Sequence, residues 1–298
     1  MQYNLLSRSN LRISAIGFGC MSLRNEDAES IRIIHRAIEL GINYFDTADL
    51  YDKGMNEMML GKALKEKREQ VIIATKVGNQ WRADGSGWDW NPSKEYILSS
   101  VEKSLQRLQT DHIDLYQLHG GTIDDPIDEA IEAFEILLKQ GKIRYYGISS
   151  IRPNVIREYI KRSSIVSVMM QYSLLDRRPE ENVLELLSKN NIGALSRGAL
   201  AQGLLVNKPA REYLGYTKEE VMNASAAVHA VSGPQRTPAQ TAIRFVLQHP
   251  AISSAIIGIR TMDQLEEAVN VFQTPVLTTA ELQELQQSIA PKVYEQHR

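Results

Sequence analysis

Residues Ile42–Glu57 read INYFDTADLYDKGMNE. The segment opens as a short apolar strand, Ile42-Asn43-Tyr44-Phe45, and changes character at Asp46. A carboxylate, a small flexible run, the phenol of Tyr51 and a Gly54 turn follow. Asn56 and Glu57 then open a helix carrying Met58, Leu60 and Leu64. Polar side chains at the carboxyl end of a buried strand mark the chemical face of parallel α/β proteins. On this stretch alone, Asp46 could equally cap a helix and Tyr51 pack a loop.

Outward from this unit, the pattern repeats. Strands are expected at Ile13–Phe18, Ile42–Phe45, Val71–Lys76, Ile113–Leu118, Ile143–Ile148, Val166–Gln171, Ile192–Ser196 and Ser254–Ile257. Helices are expected between and after them at Ala28–Leu40, Glu57–Lys67, Ser93–Leu108, Pro126–Lys139, Pro153–Lys161, Pro179–Asn190, Thr237–Gln248 and Met262–Phe272. In the first, Ile31, Ile34, Ala37, Ile38 and Leu40 make one apolar stripe at helical spacing. Pro126, Pro153 and Pro179 stand at helix starts, and Gly41 and Gly141 follow helix ends. Strands apolar on both faces and always separated by helices imply a parallel sheet. Eight such units predict a closed (β/α)8 TIM barrel, with a long loop after strand 7 and C-terminal helices. A doubly wound sheet is the alternative, but Gly17-Phe18-Gly19 is only a Gly-x-Gly, not the dinucleotide fingerprint. With no linker or low-complexity tract, residues 1–298 are expected to form a single domain. Two segments exceed a minimal barrel: Asn79–Asn91, which holds Trp81, Trp88 and Trp90, and Leu204–Arg236. Loops of this length on the active face act as lids or pocket walls.

The totals narrow the function. Of 298 residues, 43% are apolar and 23% charged, ordinary values for a soluble protein. Lys plus Arg number 34 and Asp plus Glu 36, so a net charge of −2 makes no case for nucleic acid or an anionic membrane. A single cysteine, Cys20, excludes an internal disulfide and a cysteine-rich metal site. The opening MQYNLLSRSNLRIS lacks the apolar core of a signal peptide, and no stretch approaches the roughly 18 apolar residues of a membrane span. A cytoplasmic location is expected.

Three consecutive strand ends carry the chemistry: Asp46 with Tyr51, Lys76 in IIATKVG, and His119 in IDLYQLHG. Neighbouring parallel strands lie about 4.8 Å apart, so side chains at their ends can converge. Asp46 would hold Lys76 charged, and an ammonium beside a phenol favours the phenolate. His119 would hydrogen-bond a substrate oxygen and orient it. Such a group suits proton donation to a carbonyl oxygen as negative charge develops there.

With these motifs the sequence resembles the aldo-keto reductase superfamily. The match runs through LRISAIGFGCM, DTADLYDKGMNE, ATKVG, IDLYQLH, YYGISS, QYSLL, ALAQGLL and AIIGIRTMDQLEEA. It looks most like the bacterial general-stress-protein branch and its potassium-channel β-subunit relatives. The resemblance implies a catalytic tetrad of Asp46, Tyr51, Lys76 and His119, with NADPH/NADP+ as cofactor, no metal, and a small-molecule carbonyl substrate reduced to the alcohol. It further implies that Gly19, Cys20 and Met21 touch the nicotinamide ribose and that Ser149 and Gln171 bind the carboxamide. The run Gly198, Ala199, Leu200, Gln202 and Gly203 would cradle the pyrophosphate. Gly258, Arg260, Gln264 and Glu267 would lie near the 2′-phosphate and adenine, with Arg260 favouring NADPH over NADH. Where many members stack a tyrosine on the nicotinamide, this chain has Arg197, whose guanidinium plane can also stack on a ring. Ser149-Ser150 and Glu267-Ala268 each lack an asparagine usual in the family. A monomer or weak oligomer is expected. Two other readings stand beside this one: an NADPH-binding regulatory protein like the channel β-subunits, with little turnover, and a phosphate-dependent isomerase or aldolase on the same barrel, with Lys76 as a Schiff-base lysine.

Overall fold

The computed structural model describes residues 1–6, 8–23 and 28–298. Its centre is a closed parallel barrel of β1 (Ile16–Gly19), β2 (Tyr44–Asp46), β3 (Ile72–Val77), β4 (Ile113–Leu118), β5 (Ile143–Ser149), β6 (Ser167–Gln171), β7 (Gly193–Arg197) and β8 (Ile252–Gly258). Each strand pairs with its sequence neighbours, and β8 closes on β1. Around it run α1 (Ala28–Glu39), α2 (Met55–Leu64), α3 (Lys94–Leu108), α4 (Ile127–Lys139), α5 (Pro153–Arg162), α6 (Val183–Lys189), α7 (Lys218–Ser232), α8 (Pro238–Leu247), α9 (Met262–Val269) and α10 (Thr279–Gln287). The barrel expected from the alternating units is therefore present.

Two apolar layers hold it. The interior is filled by Tyr44, Ala74, Leu115, Met169, Leu195 and Ile256. The larger layer lies between strands and helices, where Phe45, Tyr116, Met170 and Ile257 join helical side chains such as Ile34, Leu60 and Phe134. Strand residues thus alternate between two buried faces, which is why the strands read as unbroken apolar runs.

Several boundaries differ from the expectation. The run Ile13–Phe18 is two elements: Arg12–Ser14 pairs antiparallel with Tyr3–Leu5, and only Ile16–Gly19 enters the barrel. This hairpin brings Leu6, Leu11 and Ile13 into the interior cluster, plugging the amino-terminal end of the barrel. The 179–190 stretch divides into a 3-10 turn at Arg178–Glu181 and α6, because Asn182 leaves helical backbone (φ −160°, ψ −26°). Similarly α9 gives way to a 3-10 turn at Asn270–Gln273. The second helix starts at Met55, two residues early, and ends at Leu64. Residues 79–91 are a short antiparallel hairpin, Asn79–Trp81 with Trp88–Trp90. The excursion after β7 contains α7, begun by a capping box of Thr217 and Glu220, and α10 begins with another, Thr278 and Glu281.

Glycine decides how closely α2 approaches α3. A Cβ on Gly61 would lie 2.6 Å from the backbone oxygens of Arg107 and Leu108, atoms that cannot swing aside. Gly61→Ala should therefore lower the unfolding free energy by about 1–3 kcal/mol, the usual cost of overpacking. Urea unfolding of the two proteins checks this; an unchanged midpoint would show that the helices can separate freely.

Candidate active site

Strand alternation selects which side chains meet. Two residues beyond the interior apolar layer come Asp46, Lys76, Gln117, Gln171, Arg197 and Gly258. A period of two places them on the same inward side, one layer higher, at the carboxyl end of the barrel. His119 follows Gln117 by another step of two. The site is thus the polar layer stacked on the barrel's own core.

Lys76 is its centre. The side chain is buried, and Nζ donates to Asp46 Oδ2 at 2.6 Å, to the Thr47 carbonyl at 2.8 Å and to the Tyr51 hydroxyl at 3.2 Å. All three donors of the ammonium are used. Burial pulls the lysine toward neutrality, but Asp46 and Tyr51 outweigh it and hold its pKa above the ordinary value. Burial pushes the Asp46 carboxyl up, against the opposing pull of Lys76. Gln117 Nε2, at 3.4 Å from Asp46 Oδ1, faces the other carboxylate oxygen.

Tyr51 is aimed by an unusual turn. Asp52, Lys53 and Gly54 all have left-handed backbone, with φ of 46°, 54° and 86°. Non-glycine residues there cost on the order of 1–2 kcal/mol each, so surrounding contacts must compensate. Below the turn, Arg107 packs where a Gly54 Cβ would be and binds Glu57, which is fully buried. Glu57 also accepts from Thr75 at 2.5 Å and Ser104 at 3.3 Å. Thr75 precedes Lys76, so one strand segment sends adjacent residues to two buried ion pairs, one on each side of the barrel wall. Asn56 links Thr47 to the Cys20 carbonyl through bonds of 2.7 and 2.9 Å. Trp81 Nε1 donates to the Leu50 carbonyl at 3.1 Å, and Trp90 Nε1 to Asp125 at 3.0 Å. Two tryptophans therefore anchor the hairpin, and Trp88 is exposed.

His119 sits edge-on to Tyr51, with ring centroids 5.9 Å apart at 84°. Burial first, then the charges of Lys76 and Arg197, push its pKa down to about 3, so the imidazole is neutral. Its backbone is pinned by a 2.7 Å bond from N to the Val77 carbonyl and by Asn79 Nδ2 on its own carbonyl at 3.0 Å. Nδ1 is buried with no partner among the described residues.

The remaining residues expected at a cofactor are spread over the carboxyl ends of the strands, the loops that follow them and α9. Gly258 pairs with Gly19, and Gly19 with Asp46, across three adjacent strands. Cys20 is buried, its backbone turning toward Met21, which is exposed. Ser149 ends β5. Gln171 accepts from Arg197 Nη1 at 3.3 Å. Gly198 (φ 77°), Gln202 (φ 59°) and Gly203 (φ 90°) form a tight left-handed loop, while Ala199 and Leu200 pack into the outer core and leave only backbone toward the rim. Arg260 is exposed before α9, its N–H donating to Gln264 Oε1 at 3.0 Å. Gln264 is thereby committed to the backbone. Glu267 lies further along α9. Sequence reading missed Gln117, the Glu57–Arg107 pair and Tyr213, whose hydroxyl accepts from Gln171 Nε2 at 2.6 Å. Only Gln117 had a signal, its spacing of two from His119.

The low pKa of His119 has a measurable consequence. Below about pH 6.5 the unfolded chain takes up a proton that the folded protein refuses until about pH 3. Stability present above that window should fall as pH drops through it, by up to about 1.4 kcal/mol per pH unit from this group. Urea titrations across pH should show a shallower decline for His119→Gln. Parallel curves would mean that His119 titrates normally.

Comparison with known proteins identifies the family. The Aldo/keto reductase family model matches residues 15–290. An uncharacterised oxidoreductase, YqkF of Bacillus subtilis, is 49% identical over 100% of both chains. Aldo-keto reductase YhdN of the same organism is 32% identical over 89% of this chain and 87% of its own. Among solved structures, the holo form of aldo-keto reductase AKR11C1 from Bacillus halodurans superposes with a TM-score of 0.94 at 49% identity, covering 100% of this chain and 99% of that one. Its apo form gives 0.86 at 47% identity, over 100% and 99%. The glycerol dehydrogenase AKR11B4 from Gluconobacter oxydans gives 0.84 at 25% identity, over 96% and 95%. The chain belongs to the aldo-keto reductase family of oxidoreductases.

Proposed function

We infer that the protein reduces aldehydes or ketones to alcohols with NADPH, using Tyr51 as proton donor. The observation that carries this reading is Lys76 Nζ, buried 2.6 Å from Asp46 and 3.2 Å from the Tyr51 oxygen. When bound, the dinucleotide supplies the hydride. Tyr51 gives its proton to the carbonyl oxygen as negative charge builds there. The ammonium of Lys76 stabilises the phenolate left behind, and Asp46 keeps that ammonium charged. Neutral His119, positioned beside Tyr51, donates a hydrogen bond to the carbonyl oxygen and fixes its approach. A lysine held charged by a carboxylate is a poor amine nucleophile, which weighs against a Schiff-base reaction.

The rim suits the cofactor. A Cβ on Gly258 would lie 3.1 Å from Ser22 Oγ, and one on Gly19 3.2 Å from the Ile257 carbonyl, so glycine keeps the edge beside Asp46 low. Gln171 and Ser149 offer polar groups to a carboxamide, and the Arg197 guanidinium can stack on the ring. The loop 198–203 offers backbone to phosphates, and Arg260 at the start of α9 adds a cation for the 2′-phosphate. Residues 1–298 act as one domain in this reading. The cytoplasm is its place; among the described residues no helix is long and apolar enough to cross a membrane.

Two substitutions test the roles. Tyr51→Phe should lower kcat by about 10²–10⁴-fold, the usual worth of general acid catalysis, followed as loss of NADPH absorbance with a panel of aldehydes. Equal turnover by both proteins would remove Tyr51 from the mechanism. Arg260→Gln should weaken NADPH binding by at least about tenfold, in line with a lost charge-assisted bond of about 1.5–3 kcal/mol, and leave NADH binding unchanged. Equal weakening of both would place Arg260 away from the 2′-phosphate.

A further inference from the structure

The excursion after β7 reaches back to the rim at several polar contacts, among them Arg211 with Gln202 and Tyr213 with Gln171. Tyr213 is buried, and its hydroxyl accepts from Gln171 Nε2 at 2.6 Å. Arg197 Nη1 donates to Gln171 Oε1 at a longer 3.3 Å. Arginine has no acceptor, so its contact assigns the oxygen end of the amide to Arg197 and the nitrogen end to Tyr213. Gln171 therefore holds one orientation, with its remaining N–H and lone pair free to face the site.

Tyr213 is itself clamped. Its N–H and carbonyl exchange bonds with Tyr216 at 3.1 and 2.9 Å across a turn in which Leu214 and Gly215 are left-handed (φ 49° and 80°). Tyr216 in turn donates to the Ala290 carbonyl at 2.9 Å and accepts from Lys292 N at 3.1 Å. The phenol oxygen of Tyr213 is thus placed by a fastened loop rather than by a free side chain.

We propose that Tyr213 is a positioning residue for the cofactor site: it holds Gln171 so that the amide presents a fixed donor–acceptor edge to the carboxamide of the dinucleotide. This rests on the reading of Gln171 as a carboxamide ligand. The need for it lies in Arg197. An exposed guanidinium that turns to stack on the nicotinamide ring releases Gln171 Oε1, and Tyr213 is then the side-chain partner that still holds the amide in place. The short bond and the clamped turn are arranged for that role.

The test uses the full chain and two probes, NADP+ and the adenosine bisphosphate half of NADP+, which lacks the nicotinamide. Tyr213→Phe removes one oxygen and keeps the ring; its thermal melt is recorded to confirm folding. The expected result is about a five- to tenfold weaker NADP+ dissociation constant, the worth of one partly buried hydrogen bond, with the half-molecule bound as before. In a Gln171→Ala background, Tyr213→Phe should have no further effect on NADP+. Unchanged NADP+ binding, equal loss on both probes, or an undiminished effect without Gln171 would each overturn the proposal, the second by showing a general loosening of the loop. Wild-type protein that binds neither probe would instead overturn the cofactor reading itself.

Discussion

An ammonium ion buried inside a β-barrel is the constraint on which the rest of this structure depends. Removing a lysine charge from water costs several kcal/mol, and a counter-ion repays that only with close geometry and further hydrogen bonds. Here Asp46, the Thr47 carbonyl and Tyr51 accept hydrogen bonds from all three N–H groups of Lys76, from β2 and the turn just beyond it. The pair is therefore satisfied only if β2 and β3 hold their register and if residues 47–51 fold back over the strand ends. The same bonds that hold Lys76 in place aim the phenol.

That folding back is costly by itself, since two non-glycine residues after Tyr51 lie in left-handed backbone. A second buried ion pair compensates. Glu57 and Arg107 sit behind β3, and Glu57 accepts a hydrogen bond from the hydroxyl of Thr75, the neighbour of Lys76. The two pairs face opposite sides of one strand, so movement of β3 would strain both. Polar networks of this kind are strong when every member is satisfied and specify one arrangement of the elements around them. The proposed proton transfer would require such definition, because it depends on donor and acceptor positions to within a few tenths of an ångström.

The outer parts of the site are built on different terms. The barrel ends supply Asp46, Lys76 and His119 on rigid strands, whereas the hairpin of 79–90 and the loops after β7 and β8 frame the rim. This division is common to barrel enzymes, in which loops vary over a constant scaffold. At 25% identity to the glycerol dehydrogenase of Gluconobacter oxydans, the fold is retained over 96% of this chain. The scaffold therefore says little about which substrate is accepted.

The sequence by itself determined the barrel, because apolar strands alternating with amphipathic helices have few other ways to bury both faces of each strand. It also determined which residue types end the strands: Asp46, Lys76 and His119 were legible because each breaks an apolar run. Alternation made Gln117 readable too, at a spacing of two from His119. Helices α7 and α10 were not among the helices expected by range, although capping boxes at Thr217 and Thr278 mark their starts. Only the tertiary structure decided the rest. The split of 13–18 depends on pairing with Tyr3–Leu5, which no local pattern announces. Glu57 meets Arg107 across 50 residues and Gln171 meets Tyr213 across 42. Such partners are set by where loops close and how helices cross, through packing and loop entropy rather than periodicity, so they become visible only once the chain is folded.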